Sequence, residues 1–225
     1  MPLRLEELAK TIDSLLAPGA GSAAAARLCD EACNAHLAAV CVPAAHVRPA
    51  TERLRGCDVK VAAVLARTSV EAARECIAVG AAELDVPLDT EPMLAGEFRL
   101  ARTRLAAVVR AARTASVNTS RGHVLVKAVV DGGLDSPRKQ LACRIIEDVD
   151  ADFAVLTTPA PASSTALWDV ELLRERLPER IGVKAAGPVA SADEARNLVG
   201  AGASRVGTPY AAAVVRGVAV LRRAS

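Results

Sequence analysis

Lys184 stands in the apolar run Ile181-Gly182-Val183-Lys184-Ala185-Ala186, which Gly187-Pro188 closes. A run of that length bounded by turn residues reads as a buried strand. An unpaired ammonium is costly there, so the lysine is paired or used, unless its stem packs and its tip reaches solvent. Lys127 stands in a second such run, Val124 to Asp131, where alternation puts Lys127, Val129 and Asp131 on one face. Asp85 lies near the end of a third, Ala82 to Val86, broken by Pro87. Two lysines pointing into one interior would depress each other's pKa, and Asp85 could orient a water or hold the charge. That set suits imine chemistry, in which a neutral lysine attacks a carbonyl. Only five of the 28 lysines and arginines are lysines, and three of those (Lys60, Lys127, Lys184) fall inside apparent strands. Sparing use of lysine, placed in strands, fits lysine chemistry.

Positioning these groups requires a regular scaffold. Strand-like runs begin near Ile12, Leu37, Val59, Ala82, Val124, Phe153, Ile181 and Ser204. Helical patterns follow each: Ser22 to Asn34 with Ser22 as cap, Val47 to Arg55, Ser69 to Val79 ending at Gly80, and Glu97 to Ser116. Then come Ser136 to Asp148, Trp168 to Leu177, Ala192 to Gly200 and Tyr210 to Arg222, with a Pro/Ala/Ser-rich loop from Pro159 to Thr165. Eight strand–helix repeats predict an α/β fold, a (β/α)8 TIM barrel, as one domain over residues 1–225. A doubly wound open sheet is the runner-up, but no GxGxxG or GxxxxGK[ST] supports it.

In such a barrel chemistry sits at the C-terminal ends of strands. The residues there are Asp13 or Ser14, Cys41, Asp85, Asp131, Thr157, Thr158, Lys184, Gly207 and Thr208. Each has a plainer reading beside the functional one. Asp85 could cap the loop before Pro87, Asp131 before Gly132-Gly133 could be a turn residue, Cys41 a small core residue and Thr208 a helix cap. Gly207-Thr208 ahead of a helix offers amides to an anion, although Pro209 gives one up.

Composition bounds the rest. The chain has 225 residues, 52% apolar and only 2% aromatic, so its core is built from Ala, Val and Leu. A net charge of +2 with scattered arginines argues against nucleic acid or a membrane surface as partner. No apolar run is long enough to span a membrane, and Met1 to Lys10 does not read as a signal peptide. Among Cys29, Cys33, Cys41, Cys57, Cys76 and Cys143 there is no CxxC pair. Cys29 and Cys33 are four apart on a helix face, but no CxxC or HxxxH pair accompanies them, so no metal is expected. Reduced cytoplasmic thiols are expected instead.

Several segments in order carry a resemblance: Ile12-Asp13-Ser14-Leu15-Leu16-Ala17-Pro18, Ala38-Ala39-Val40-Cys41-Val42, Val59-Lys60-Val61-Ala62-Ala63-Val64 and Gly80-Ala81-Ala82-Glu83-Leu84-Asp85. Val126-Lys127-Ala128-Val129-Val130-Asp131, Ala151-Asp152-Phe153, Gly182-Val183-Lys184-Ala185-Ala186-Gly187 and Ala201-Gly202-Ala203-Ser204-Arg205-Val206-Gly207 continue it. Together they resemble the deoxyribose-phosphate aldolase family, class I aldolases on a (β/α) barrel, over about the whole chain. The resemblance implies cleavage of 2-deoxyribose 5-phosphate to acetaldehyde and glyceraldehyde 3-phosphate through a lysine imine, with no cofactor. It matches Asp85 to a proton-relay aspartate, Lys184 to the second lysine beside the imine-forming one, and Asp13 and Cys41 to the substrate pocket. Thr158, Gly187, Gly207 and Thr208 fall on the phosphate side.

The sequence departs from the family where its imine-forming lysine lies, in a Lys-Thr-Ser-Thr-Gly motif after Ala-Asp-Phe-x. Here Val155 occupies that position and Pro159 the motif's glycine. The second-lysine motif ends Ala186-Gly187-Pro188, the serine pair is Thr208-Pro209, and the loop after the third strand is shortened to Leu65-Ala66-Arg67-Thr68. Three functions follow. Lys184, nearer the strand end, or Lys127, deeper, takes over imine formation with impaired or altered activity on a small aldehyde or sugar phosphate. Alternatively the barrel is degenerate and binds a ligand or partner chain, or it runs another carbonyl-directed reaction. Apolar helix faces and the resemblance imply a homo-oligomer, a homodimer, although an Ala-rich helix faces a core and a partner equally well.

Overall fold

The Val- and Ala-rich runs form eight parallel strands: β1 (Ile12–Leu15), β2 (Ala39–Pro43), β3 (Lys60–Val64), β4 (Glu83–Pro87), β5 (Leu125–Asp131), β6 (Phe153–Thr157), β7 (Gly182–Ala186) and β8 (Arg205–Thr208). The computed structural model describes residues 3–118, 122–158, 164–218 and 220. Each strand pairs with the next, and β8 returns to β1 through Ile12 opposite Val206 and Asp13 opposite Gly207. That last ladder closes the sheet as a (β/α)8 barrel and excludes the open doubly wound alternative.

Helices α2 (Ser22–Asn34), α3 (Ala44–Arg53), α4 (Val70–Ala78), α6 (Phe98–Asn118), α7 (Ser136–Asp148), α8 (Ser164–Arg176), α9 (Ala192–Gly200) and α10 (Ala211–Val215) follow the strands in turn. Two short ones were not anticipated, α1 (Leu5–Ala9) before β1 and α5 (Thr90–Ala95) after β4. Helix α3 starts at Ala44 rather than Val47, because Pro43 supplies the extended N-cap directly after β2. Gly21 rather than Ser22 occupies the N-cap of α2, and no side chain caps it. Ser69, Asp135 and Ser191 do cap α4, α7 and α9, accepting from Ala72, Arg138 and Glu194 backbone N–H groups. Helix α10 is far shorter than the Tyr210–Arg222 pattern suggests: Arg216 caps it and Gly217 follows at φ +71°, in the left-handed region. Of the loop expected from Pro159 to Thr165, residues 159–163 lie outside the described part, and Ser164 and Thr165 belong to α8.

Alternation sorts the strand side chains into two shells. Val40, Val42, Leu84, Val86, Val130, Leu156, Val183 and Val206 face outward and merge with the helices in one apolar layer. Small residues let that layer close with only Phe98 and Tyr210 as aromatics at its margin. Gly182 shows how tightly the interior packs: a Cβ there would lie 2.3 Å from the Phe153 ring. The inward shell mixes apolar residues such as Val129 and Val155 with buried charges. Its Lys127 and Lys184 are among the largest fully buried side chains of the molecule, each 0% exposed.

The thiols are not all reduced, contrary to the sequence reading. Cys33 at the end of α2 and Cys57 before β3 form a disulfide, with Cα atoms 6.0 Å apart. Their separation of 24 residues along the chain hid the pair, since spacing alone does not specify a partner. Cys29, Cys41, Cys76 and Cys143 are free and buried. Burial pushes the Cys29 and Cys143 thiols up to about 11, so neither is a ready thiolate. Among the described residues no helix is long and apolar enough to cross a membrane.

Candidate active site

Strand register brings the inward residues together. Asp85 on β4 lies beside Lys127 on β5, Lys127 beside Phe153 on β6, Val155 beside Lys184 on β7, and Lys184 beside Arg205 on β8. Asp13 on β1 is set beside Ala39 and Gly207, and Cys41 beside Leu15. Each carboxylate therefore projects toward a cation from another part of the ring.

The contacts are short. Lys184 Nζ donates to Asp85 Oδ2 at 2.8 Å, lies 2.8 Å from Asp13 Oδ2, and reaches Cys41 Sγ at 3.3 Å. Lys127 Nζ donates to Asp13 Oδ2 at 3.2 Å, lies 3.7 Å from Asp85 Oδ1, and pairs closely with Glu83. Arg205 closes the set: Nε donates to Asp13 Oδ1 at 2.8 Å, and Nη2 lies 2.7 Å from the same oxygen and 3.3 Å from Glu83 Oε2. Three cations thus meet three carboxylates inside the barrel. Two of the six, Glu83 and Arg205, were not among the candidates read from the sequence. Both open their strands, at the end where chemistry is not sought, although Glu83 is two residues before Asp85 and Arg205 two before Gly207. Period-2 alternation alone puts each on the inward face with its candidate neighbour.

Lys184 does lower the pKa of Lys127, as expected, but the surrounding carboxylates outweigh that repulsion. Burial works against the charge of Lys184, and the two lysines repel, but Asp13, Asp85 and Cys41 outweigh this and hold its pKa well above the ordinary value. Lys127 is likewise raised, with burial opposed by Asp13, Asp85 and Glu83. Burial would raise the Asp13 carboxyl, yet Lys127, Lys184 and Arg205 hold it far below the usual carboxylate range. Asp85 is lowered in the same way by Lys184 and Lys127. The Cys41 thiol is pushed up, chiefly by burial. At neutral pH the lysines are ammonium ions, so nucleophilic attack first requires transfer of a proton to a partner carboxylate.

The remaining candidates line the C-terminal side. Val155 is 2% exposed and lies between Val129 and Lys184 in the ladder, on the inward face. Thr158 is half-buried; its N–H donates to Ala186 O at 2.7 Å and its hydroxyl to the same oxygen at 3.3 Å. A Cβ at Gly187 would meet Thr158 Oγ1 at 2.0 Å, and a Cβ at Gly207 would meet Lys184 Cε at 3.0 Å, so both glycines make room for these neighbours. The Gly187 N–H is already spent on Gly207 O at 2.9 Å. The Thr208 hydroxyl donates to Val189 O at 2.6 Å and accepts from the Tyr210 N–H at 3.1 Å, so it ties loops together rather than facing a ligand. Helix α10, five residues long, brings little dipole to an anion there. Asp131 accepts from the Gly133 N–H at 2.8 Å, the plain turn role.

Comparison with known proteins adds relatives that share this barrel. The chain is 31% identical over 221 residues to a deoxyribose-phosphate aldolase of Caldanaerobacter subterraneus subsp. tengcongensis, an alignment covering 94% of this chain and 93% of that protein. A solved structure from Coccidioides immitis, described as a candidate deoxyribose-phosphate aldolase, superposes with a TM-score of 0.85 at 23% identity, covering 96% of this chain and 87% of the other. The deoxyribose phosphate aldolase of Aeropyrum pernix, described as a tetramer, gives 0.77 at 25% identity over 94% and 91%. No family model matches the chain.

Proposed function

The chain belongs to the deoxyribose-phosphate aldolase family, and from that premise we propose an aldehyde-lyase site in which Lys184 forms the imine and turnover is impaired. The observation that carries this reading is the place of Lys184: inside the barrel, next to Val155 in the ladder, with Asp85 Oδ2 and Asp13 Oδ2 each 2.8 Å from its amine. The substrate would be a small aldehyde or a phosphorylated sugar such as 2-deoxyribose 5-phosphate. Lys184 would first pass a proton to Asp85. The neutral amine then adds to the carbonyl carbon, and loss of water leaves a protonated imine. Asp85 gives its proton to the departing water, then takes the proton of the hydroxyl beyond the bond to be cut. That carbon–carbon bond breaks, its electron pair enters the imine, and the hydroxyl carbon leaves as an aldehyde. Asp85 passes the proton to the enamine carbon before water hydrolyses the imine. Lys127 lies deeper and would hold Asp13 and Asp85 in place. Asp13 and Cys41 would shape the pocket floor, and Thr158, Gly187, Gly207 and Thr208 its phosphate side. With the Gly187 amide and the Thr208 hydroxyl already bonded, a phosphate requirement would be weak.

Impairment follows from charge. An amine held as ammonium by two carboxylates is a poor nucleophile, and the lysine that would share its charge is a valine. The same observation favours a second reading, in which the fully paired network leaves no amine to spare and the barrel binds a ligand or partner without aldol chemistry. As in the tetrameric Aeropyrum pernix relative, self-association is part of the proposal.

Reduction with borohydride in the presence of acetaldehyde, and separately of 2-deoxyribose 5-phosphate, decides between them when the adduct is mapped by mass spectrometry. We expect an adduct on Lys184 that Lys184→Ala abolishes and Lys127→Ala leaves in place, with retro-aldol turnover below ~1 per second. Turnover within the ordinary range of ~1–10³ per second would refute impairment. No adduct at either lysine in the folded protein would leave the second reading.

A further inference from the structure

A cavity of about 830 Å³ opens at the N-terminal end of the barrel, opposite the end where imine chemistry is proposed. Its volume falls in the range of small-molecule sites. Glu83, Leu125 and Arg205, the first residues of β4, β5 and β8, line its inner end. Two stretches, 35–38 and 57–60, wall it. Each lies on or just after one half of the Cys33–Cys57 disulfide, so the two walls are tied together before any ligand arrives.

The charged groups of this cavity are not equivalent. Glu83 is closed off by Lys127 and Arg205, and its side chain is 2% exposed, against 15% for Arg205. The Arg205 guanidinium has five N–H donors in a fixed fork. Nε and Nη2 are spent on Asp13 and Glu83, while Nη1 has no partner among the described residues. The open part of an otherwise buried guanidinium is thus a pair of N–H donors, the group that best matches an oxyanion. At the entrance Lys10 and Lys60 are exposed and make no ion pair among the described residues. Glu6 and Asp58 line the same cavity and are as exposed as the two lysines, so screening weakens all four alike and direct donation from Lys10, Lys60 and Arg205 to the ligand decides.

We propose that the N-terminal mouth is a second binding site, for a small oxyanion (carboxylate or phosphate), seated on the free Nη1 edge of Arg205 and held by Lys10 and Lys60. This site stands whether or not Lys184 forms an imine. By the geometry of the fold it is a binding site and not a reacting one, since the ends of the strands that carry chemistry lie at the other mouth.

Arg205 sits in the buried network, so its replacement could unfold the barrel, and the exposed lysines serve better as probes. The full chain, labelled with ¹⁵N, is titrated with inorganic phosphate and in parallel with acetate while backbone amide shifts are followed. Saturable shifts at 35–38 and 57–60 are expected, with a Kd weakened about ten-fold or more in the Lys10→Ala/Lys60→Ala double variant. Tighter binding of phosphate, or of acetate, identifies the class of ligand. Shifts that never saturate, shifts confined to Thr158, Gly187 and Gly207 at the opposite mouth, or equal affinity in the double variant would overturn the proposal.

Discussion

Val155 and Lys184 are ladder partners on adjacent strands, and both face the barrel interior. A lysine introduced at position 155 would therefore meet the Lys184 ammonium and an apolar wall that includes Val129. A like charge and burial both favour its neutral form, the condition that the native lysines, wrapped in carboxylates, do not meet. Val155→Lys is expected to create a borohydride-trappable imine at residue 155 and to raise retro-aldol turnover on the order of 10²-fold, the low end for a well-placed catalytic group. The measurement is the mapped adduct together with the steady-state rate. An adduct that stays on Lys184, or none at all, would count against this account of the impairment. The extra methylenes also crowd a buried position, at a cost of about 1–3 kcal/mol in stability.

At the scale of elements, what the sequence disclosed and what it withheld have different physical origins. The strands and most helices were legible because each must bury an apolar face, and that need writes a period of 2 or 3.6 into the chain. Helices α1 and α5 were not, being too short, at 5 and 6 residues, to show a period. Lys127, Lys184, Asp85, Asp13 and Cys41 were found because charged or reactive groups stand out within apolar strands, and the fold brings all five together. Glu83 and Arg205 did not stand out because they open their strands, opposite the C-terminal ends where barrel chemistry lies. The state of the lysines has a different origin: Asp13 and Asp85, both legible in the sequence, lie within hydrogen-bond reach of the ammonium groups, a distance that only the closed barrel fixes. Lys139 on α7 pairs with Asp169 on α8 at 2.6 Å, both buried, another lysine whose partner lies outside its own segment. Removing the acid strands a buried ammonium, so Asp169→Ala should cost about 3–5 kcal/mol in urea unfolding, whereas Lys139→Met/Asp169→Leu should be close to neutral. Equal losses in the two variants would contradict that assignment. The Cys33–Cys57 bond closes a loop spanning 24 residues and by chain entropy is worth about 3 kcal/mol. Cys33→Ser should accordingly lower the calorimetric Tm by roughly 6–12 °C for a chain of this size, and an unchanged Tm would mean the bond adds nothing.

For the whole molecule, the six-charge interior makes stability depend on pH in a direction fixed by its shifts. Asp13 and Asp85 titrate below their ordinary range in the folded barrel: burial opposes their charge, but the lysines, and Arg205 for Asp13, overcome it. Their contribution is present above the unfolded carboxylate pKa, ~4, and is lost as pH falls toward the folded values. Lys127 and Lys184 are shifted upward, so their contribution is present below the unfolded value of ~10.4 and is lost only as pH rises through the folded ones. Between about pH 5 and 9 neither pair changes its charge, and the urea midpoint should be flat as far as this network determines it. Below about pH 4 the unfolded chain takes up protons that the folded barrel refuses, and the midpoint should fall steadily. Asp13→Asn separates this from the surface carboxylates. It removes the acid that faces Lys127, Lys184 and Arg205 together, leaving them short of one counter-charge, so the variant should be less stable at pH 7 and its acid limb shallower. A wild-type midpoint that rises between pH 5 and 3, or an acid limb unchanged by Asp13→Asn, would show that the interior carboxylates do not carry the acid stability of the barrel.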